Sequence, residues 1–209
     1  MPVERTAKRL LEERGTTYAE EAGIRLRDTP MPLYELLVLC VLFSAPIRAD
    51  MAVAAARELF AAGMRTPRAM ERASWQGRVD ALVRAHYRRY DESTATALGA
   101  GAELVRERYR GDLRRLRDEA GGDPARIHRL LRQFPRIGAV GADIYCREAQ
   151  GVWPELRPAF DARARRGAAG LGLPGTPERL ARLVDDDDLP RLAAALVRAE
   201  LAPAGPGGR

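Results

Sequence analysis

The sequence predicts an all-α protein, and three observations carry the prediction. Helix start and stop signals recur along the 209 residues, and apolar residues fall at three- and four-residue spacing. Strand signals are nearly absent, because no Asn-Gly or Asp-Gly pair separates alternating apolar runs.

The elements follow in chain order. The opening MPVERTAKRLLEERG is charged throughout and lacks the apolar segment of a signal peptide, which predicts a cytoplasmic protein. Pro32 to Phe43 contains the longest apolar run, LLVLCVLF at 36–43. It is far shorter than the roughly 20 residues needed to span a bilayer. It follows Glu35 and stops near Pro46, so it reads as a buried core helix. Segments 51–62, 78–89, 102–110 and 125–133 carry helical spacing. Thr66-Pro67, Asp123-Pro124 and Thr176-Pro177 each put a capping side chain before a proline suited to the first helical position. Gly63 and Gly151 fall where helices end. Further helices are expected over 139–150, over 162–169 after Asp161, and over 189–201, giving about ten in all. The tail PAGPGGR at 203–209 is expected to fray. The run Asp185-Asp186-Asp187-Asp188 reads as a solvated, capping turn, since four adjacent carboxylates cannot all face one ion.

Composition narrows the function classes. A hydrophobic content of 46% argues against wholesale disorder, and the length suffices for one large domain or two small lobes. Cys40 and Cys146 stand alone, outside any CxxC or Cys/His cluster, so a cysteine-built zinc or iron–sulfur site is not expected. A net charge of +6 and a pI near 9.9 favour an anionic partner such as nucleic acid. Of the 35 Lys and Arg residues one is Lys8, leaving 34 arginines, a bias that overall composition also explains. An enzyme that forms a Schiff base needs an amine, and here only Lys8 and the N-terminus supply one.

The stretch Phe134-Pro135-Arg136-Ile137-Gly138 sits between two predicted helices. A short turn ending in Gly at a helix start aims backbone N–H groups outward, and the positive end of the helix dipole adds to them. Such a turn suits a phosphate oxygen, and contacts of this kind position a protein on DNA without reading its sequence. Phe134 and Ile137 are expected to point inward, with Arg136 at the tip. On spacing alone an ordinary helix–turn–helix corner is the better reading.

The residues Leu131 to Ala142, LRQFPRIGAVGA, resemble the helix-hairpin-helix signature of the endonuclease III-like (HhH-GPD) DNA glycosylase superfamily. Pro32 to Leu37 through Phe43-Ser44-Ala45-Pro46 is similar to the early buried helix of that family and its Leu-Ser-Ala-Gln type loop. Ala159-Phe160-Asp161-Ala162-Arg163 resembles the Val-Asp-Thr-His region, and Gly170-Leu171-Gly172-Leu173 the Arg-Leu-Gly-Leu that follows it. The likeness runs from about residue 30 to 174 with the motifs in order.

The resemblance implies a bilobal all-α fold with a cleft between lobes. Residues 29–155 would form a six-helix lobe holding the hairpin, with 1–28 and 156–209 as a second helical lobe. The partner would be double-stranded DNA containing a damaged base, with no membrane involved, and the protein would act as a monomer. The target nucleotide would be flipped out, as chemistry on a stacked base requires. Asp161 would stabilise charge developing at the anomeric carbon and orient or deprotonate the attacking water. Its plainer role, N-cap of the helix that follows, is compatible with that one. Pro135, Arg136, Ile137, Gly138, Val140 and Gly141 would grip DNA through the hairpin, with Arg163 adding charge after Asp161. A monovalent cation at the hairpin is the one ion the resemblance allows; no metal site is otherwise expected.

Four departures shape the expected activity. Bifunctional members carry a lysine two residues after the last hairpin Gly, and here that position is Val140. A lysine-dependent lyase is therefore not expected, which leaves a monofunctional DNA N-glycosylase of base excision repair. Arg136 replaces the first hairpin Gly, and a residue with a Cβ resists the backbone angles open to Gly, which would alter the grip. The C-terminal iron–sulfur cysteines are absent. The wedge loop reads Pro46-Ile47-Arg48 where a Gln is usual, so Ile47 and Arg48 become the candidates to fill the gap in the duplex.

Other residues carry two readings each. His86-Tyr87-Arg88-Arg89-Tyr90 interleaves aromatics with cations, and at helical spacing His86 and Tyr90 would share a face. Trp75, Tyr34, Tyr145, Trp153 and Phe160 are candidate walls of a base pocket, with Tyr34, Tyr145 and Phe160 taken as the pocket set; each also suits a core. Arg165 and Arg166 reach phosphate or solvent, and His128 is expected as an exposed helical residue. The alternatives to a glycosylase are a non-catalytic DNA-binding relative and an all-α interaction protein.

Overall fold

In the computed structural model, residues 2–202 are described; the expected fraying of 203–209 lies outside them. Among the described residues there are thirteen α-helices, two short 3-10 turns and no strand. The helices are α1 (Pro2–Arg14), α2 (Tyr18–Glu21), α3 (Pro30–Phe43), α4 (Ala49–Ala61), α5 (Pro67–Arg72), α6 (Trp75–Arg84) and α7 (Asp91–Tyr109). They continue as α8 (Arg114–Ala120), α9 (Pro124–Leu131), α10 (Ala139–Ala149), α11 (Ala162–Gly170), α12 (Pro177–Ala181) and α13 (Leu189–Leu201). None is long and apolar enough to cross a membrane. The excess over the expected ten comes from short helices such as α2 and α12, which hold too few turns to show a period.

The chain divides into two compact units, residues 18–146 and residues 1–17 with 147–209. In the first, α3 is buried from Pro32 to Leu42, which is what a helix apolar on every side requires. It packs against α4 and α7, while α6 lies on α4 and α7. Buried Arg78 ties three segments together by donating to the carbonyls of Ala95, Met70 and Ala73 at 2.8–3.0 Å. Thr66 and Asp123 cap as expected, accepting from the Ala69 and Ala125 N–H groups, with their prolines at the helix start.

The expected helix over 78–89 ends early, at Arg84. His86 takes a left-handed backbone with φ 59°, which swings Tyr87 into the core. There the Tyr87 hydroxyl donates to the Leu42 carbonyl at 3.2 Å and lies 3.3 Å from the Thr94 hydroxyl. His86 and Tyr90 consequently do not share a helical face. The predicted 102–110 segment is the second half of α7, whose first half (DESTATALGA) is too rich in small residues to show a stripe.

In the second unit α13 is the centre, packed by α1 and α11. Gly167 makes the α11–α13 contact close: a Cβ there would meet the Leu196 carbonyl oxygen at 2.0 Å. The acidic run forms a 3-10 turn at Asp186–Asp188 before α13, but no side chain of it makes a capping hydrogen bond. Arginines hold it instead, Arg157 on Asp186 at 3.0 Å and Arg191 on Asp188 at 2.6 Å. Among the described residues no cluster of His, Cys, Asp or Glu is arranged to hold a metal ion.

Candidate functional site

The hairpin is built from α9, the turn 132–138 and α10. Phe134 and Ile137 are buried, as expected, with the Phe134 ring 6.1 Å from that of Tyr109. Arg136 overturns the expectation for its position. It adopts φ 64°, the left-handed conformation that Gly supplies elsewhere, so the turn keeps its course with a side chain present. The side chain does not stand free at the tip, because its Nη1 donates to the Ser93 hydroxyl at 2.9 Å, in the first turn of α7. Gly138, Ala139 and Val140 are exposed at the start of α10. A helix leaves its first N–H groups without internal acceptors, so this end offers donors and a positive dipole end. Val140 is 56% exposed.

Two links that the sequence reading missed brace the hairpin. His128 is only part-exposed and makes a 3.0 Å hydrogen bond with Asp143, joining α9 to α10. Gly141 lies close to the wedge loop: a Cβ on it would sit 3.4 Å from the Ser44 hydroxyl and from Ile137 Cγ2.

The wedge loop and the 86–90 loop, flagged separately in the sequence, come together. Pro46, Ile47, Arg48 and Met51 line an open concavity of about 610 Å³ with His86 to Tyr90. Arg89 lies over the Tyr90 ring, 5.5 Å from its centroid. Arg48 is exposed and forks onto Asp50 at 2.7 and 3.1 Å, which holds the Asp50 carboxyl below its ordinary range. The result is a surface with cations and one aromatic edge, suited to a polyanion carrying flat bases.

The proposed walls of a base pocket present no open ring face. Tyr34, Tyr145 and Phe160 are all buried, and so is Trp153. Burial pushes the Tyr34 and Tyr145 phenols well above their ordinary range. Trp75 is exposed and donates to the Thr96 hydroxyl at 3.1 Å.

In the second unit Asp161 is the N-cap of α11, its Oδ1 accepting from the Ala164 N–H at 2.9 Å. Its Oδ2 accepts from Arg147 Nη1 at 2.5 Å, and the two side chains are 8% and 3% exposed. Arg147 Nε also lies 3.9 Å from a carboxylate oxygen of Glu148, whose side chain is fully buried. Gln150 completes the frame by holding Ala159 from both sides, donating to its carbonyl at 3.0 Å and accepting from its N–H at 2.9 Å. Arg147, Glu148 and Gln150 were missed because polar residues in a helical stretch read as a solvated face. The only signal was three of them within four positions before Gly151. Arg163, about half exposed, pairs with Glu200 at 3.6 Å, as Arg166 does at 3.0 Å.

No protein-family model matches the chain, and no curated protein matches it. Solved structures do. A trapped endonuclease III–DNA covalent intermediate, an estranged-adenine complex, superposes with a TM-score of 0.52 at 17% identity, over 94% of this chain and 85% of that one. A non-covalent endonuclease III–DNA complex gives a TM-score of 0.51 at the same identity and coverage. The chain therefore has the all-helical, hairpin-bearing fold of endonuclease III.

Proposed function

We propose that this chain is a monofunctional DNA N-glycosylase that removes a damaged or mismatched base in base excision repair. The observation that carries the reading is the hairpin tip. A residue with a Cβ held at φ 64° costs about 1–2 kcal/mol, and the turn keeps this conformation with the Ser93 bond holding the side chain. A turn that must aim the N–H groups at the start of α10 toward a phosphate has a reason to keep it. The shared fold with proteins solved on DNA supports the same partner, as does the basic balance of the chain.

In this reading the bond from the anomeric carbon to the base breaks, and the base leaves with the bonding electrons. A water oxygen bonds to that carbon, and Asp161 stabilises the developing cation and takes the water's proton. Val140 in the lysine position leaves no amine at the hairpin for a Schiff base, so the product is an intact strand with an abasic site. With two cysteines the chain falls short of the four thiolates that hold an iron–sulfur cluster, so none is invoked.

The Arg147–Asp161 pair favours a second reading, a DNA-binding relative that does no chemistry, because the guanidinium already partners the carboxylate. One experiment separates the two. The protein is incubated with duplexes carrying uracil, hypoxanthine, alkylated purines, oxidised pyrimidines or mismatches, and strand breaks are scored with and without alkali. Alkali-dependent breaks that vanish in Asp161→Asn support the glycosylase. Binding that weakens steeply with salt, without breaks on any duplex, supports the second reading. Binding indifferent to salt sinks both.

A further inference from the structure

We propose that Arg147 is the positioning residue of Asp161, a role that rests on the glycosylase reading above. Three features of the second unit converge on it. Arg147 and Asp161 are both nearly inaccessible and meet at 2.5 Å, so the guanidinium fixes one carboxylate oxygen while the Ala164 N–H fixes the other at 2.9 Å. An ionised carboxylate has about four lone-pair sites, so holding one on each oxygen sets its plane and leaves the others for water or sugar.

The second feature is a neighbouring carboxylate. Arg147 Nε also lies 3.9 Å from Glu148, so the guanidinium is held from two sides as it reaches Asp161 at 2.5 Å. A planar guanidinium held in this way presents Nη1 to the Asp161 carboxylate in one orientation.

The third is the backbone. Gln150, one turn after Arg147 on the same stretch, grips both polar groups of Ala159, two residues before Asp161. Arg157 donates to the carbonyls of Gln150 and Gly151 at 2.8 and 3.2 Å, closing the loop on itself. The segment from 147 to 151 thus fixes the backbone that delivers Asp161 as well as its side chain. A cap alone needs only the Ala164 bond, and nothing about capping calls for a buried arginine.

The test uses the full chain and whichever duplex of the panel the wild type cleaves. Arg147→Met, Arg147→Gln and Arg147→Lys are compared by single-turnover rate at saturating enzyme and by DNA affinity. The contact is a single Nη1, so a lysine ammonium can replace it in part. Arg147→Met is expected to lose about 100-fold in rate with affinity unchanged, the scale of a misplaced catalytic group. Arg147→Lys should recover most of that loss, and neutral Arg147→Gln should not. If Arg147→Met does not fold, Arg147→Met in a Glu148→Gln background, compared with Glu148→Gln alone, removes the neighbouring carboxyl group along with the cation. A variant without the cation that reacts at the wild-type rate overturns the inference alone, as does a lysine no better than methionine. A wild type that cleaves no duplex removes the glycosylase reading and this role with it.

Discussion

Arg136 donates from Nη1 to the Ser93 hydroxyl at 2.9 Å while its own backbone sits at φ 64°. The hairpin tip is thereby tied to the first turn of α7, and its guanidinium is committed to the protein. The strain at the tip is local and the compensation is a single exposed hydrogen bond, so the two can be pulled apart by substitution.

Arg136→Gly removes both strain and bond, whereas Arg136→Ala removes only the bond. Gly adopts the left-handed conformation without a Cβ penalty but enlarges the unfolded ensemble, and these effects partly cancel. Arg136→Gly is expected to be more stable than Arg136→Ala by about 1 kcal/mol, measured by urea unfolding. The reverse order would mean that the turn has relaxed away from its left-handed form.

Much of the fold was legible because helix signals are local. Thr66-Pro67 and Asp123-Pro124 announced α5 and α9, and the apolar run announced the buried α3. What stayed hidden was decided by distant partners. His86 and Arg136 turn left-handed with neither Gly nor Asn to mark them. His86 does so beside a buried Tyr87 that reaches Leu42, and Arg136 beside Ser93. The cap formed by Asp161 could be read from its place before a helical segment, but the Arg147 and Gln150 contacts around it could not. Their role depends on burial, and in sequence a buried arginine is written like an exposed one.

Gly167 controls where Asp161 stands. Asp161 heads α11, and Gly167 lets that helix rest against the α13 backbone; a methyl group would lie 2.0 Å from the Leu196 oxygen. Backbone cannot yield as a flexible side chain does, so Gly167→Ala should cost about 3 kcal/mol by thermal or urea unfolding. Gly170→Ala, with open space around it, is the control and should stay within about 0.5 kcal/mol of wild type. Equal effects at the two positions would show that α11 can shift along α13.

Alkaline pH should unfold the protein. Burial raises the phenols of Tyr34, Tyr145, Tyr87 and Tyr109, and pushes the Cys146 thiol up to about 12. The folded chain therefore holds these protons more tightly than the unfolded one. Their contribution is fully present below about pH 9 and is lost as pH rises, because the unfolded state then releases protons that the folded state keeps. Phenolate absorbance should show at least four of the six tyrosines ionising together with loss of helical circular dichroism. Smooth ionisation of all six at their ordinary values, with the helices intact, would contradict the burial.

Val140→Lys asks whether an amine at the hairpin is enough to give lyase chemistry. Val140 is 56% exposed at the start of α10, so a lysine meets no packed neighbour and should change stability by no more than about 0.5 kcal/mol. An amine there could add to the aldehyde of a ring-opened abasic sugar and lose water, and borohydride would reduce the resulting iminium to a stable cross-link. The wild type should give no trapped adduct with an abasic duplex, and Val140→Lys should give one. Efficient trapping by the wild type would end the monofunctional reading and point to Lys8 or the N-terminus, the other amines in the chain. A Val140→Lys protein that binds the duplex but never traps would mean that this position does not face the sugar. The lysine correspondence at the hairpin would then fail even though the fold is shared.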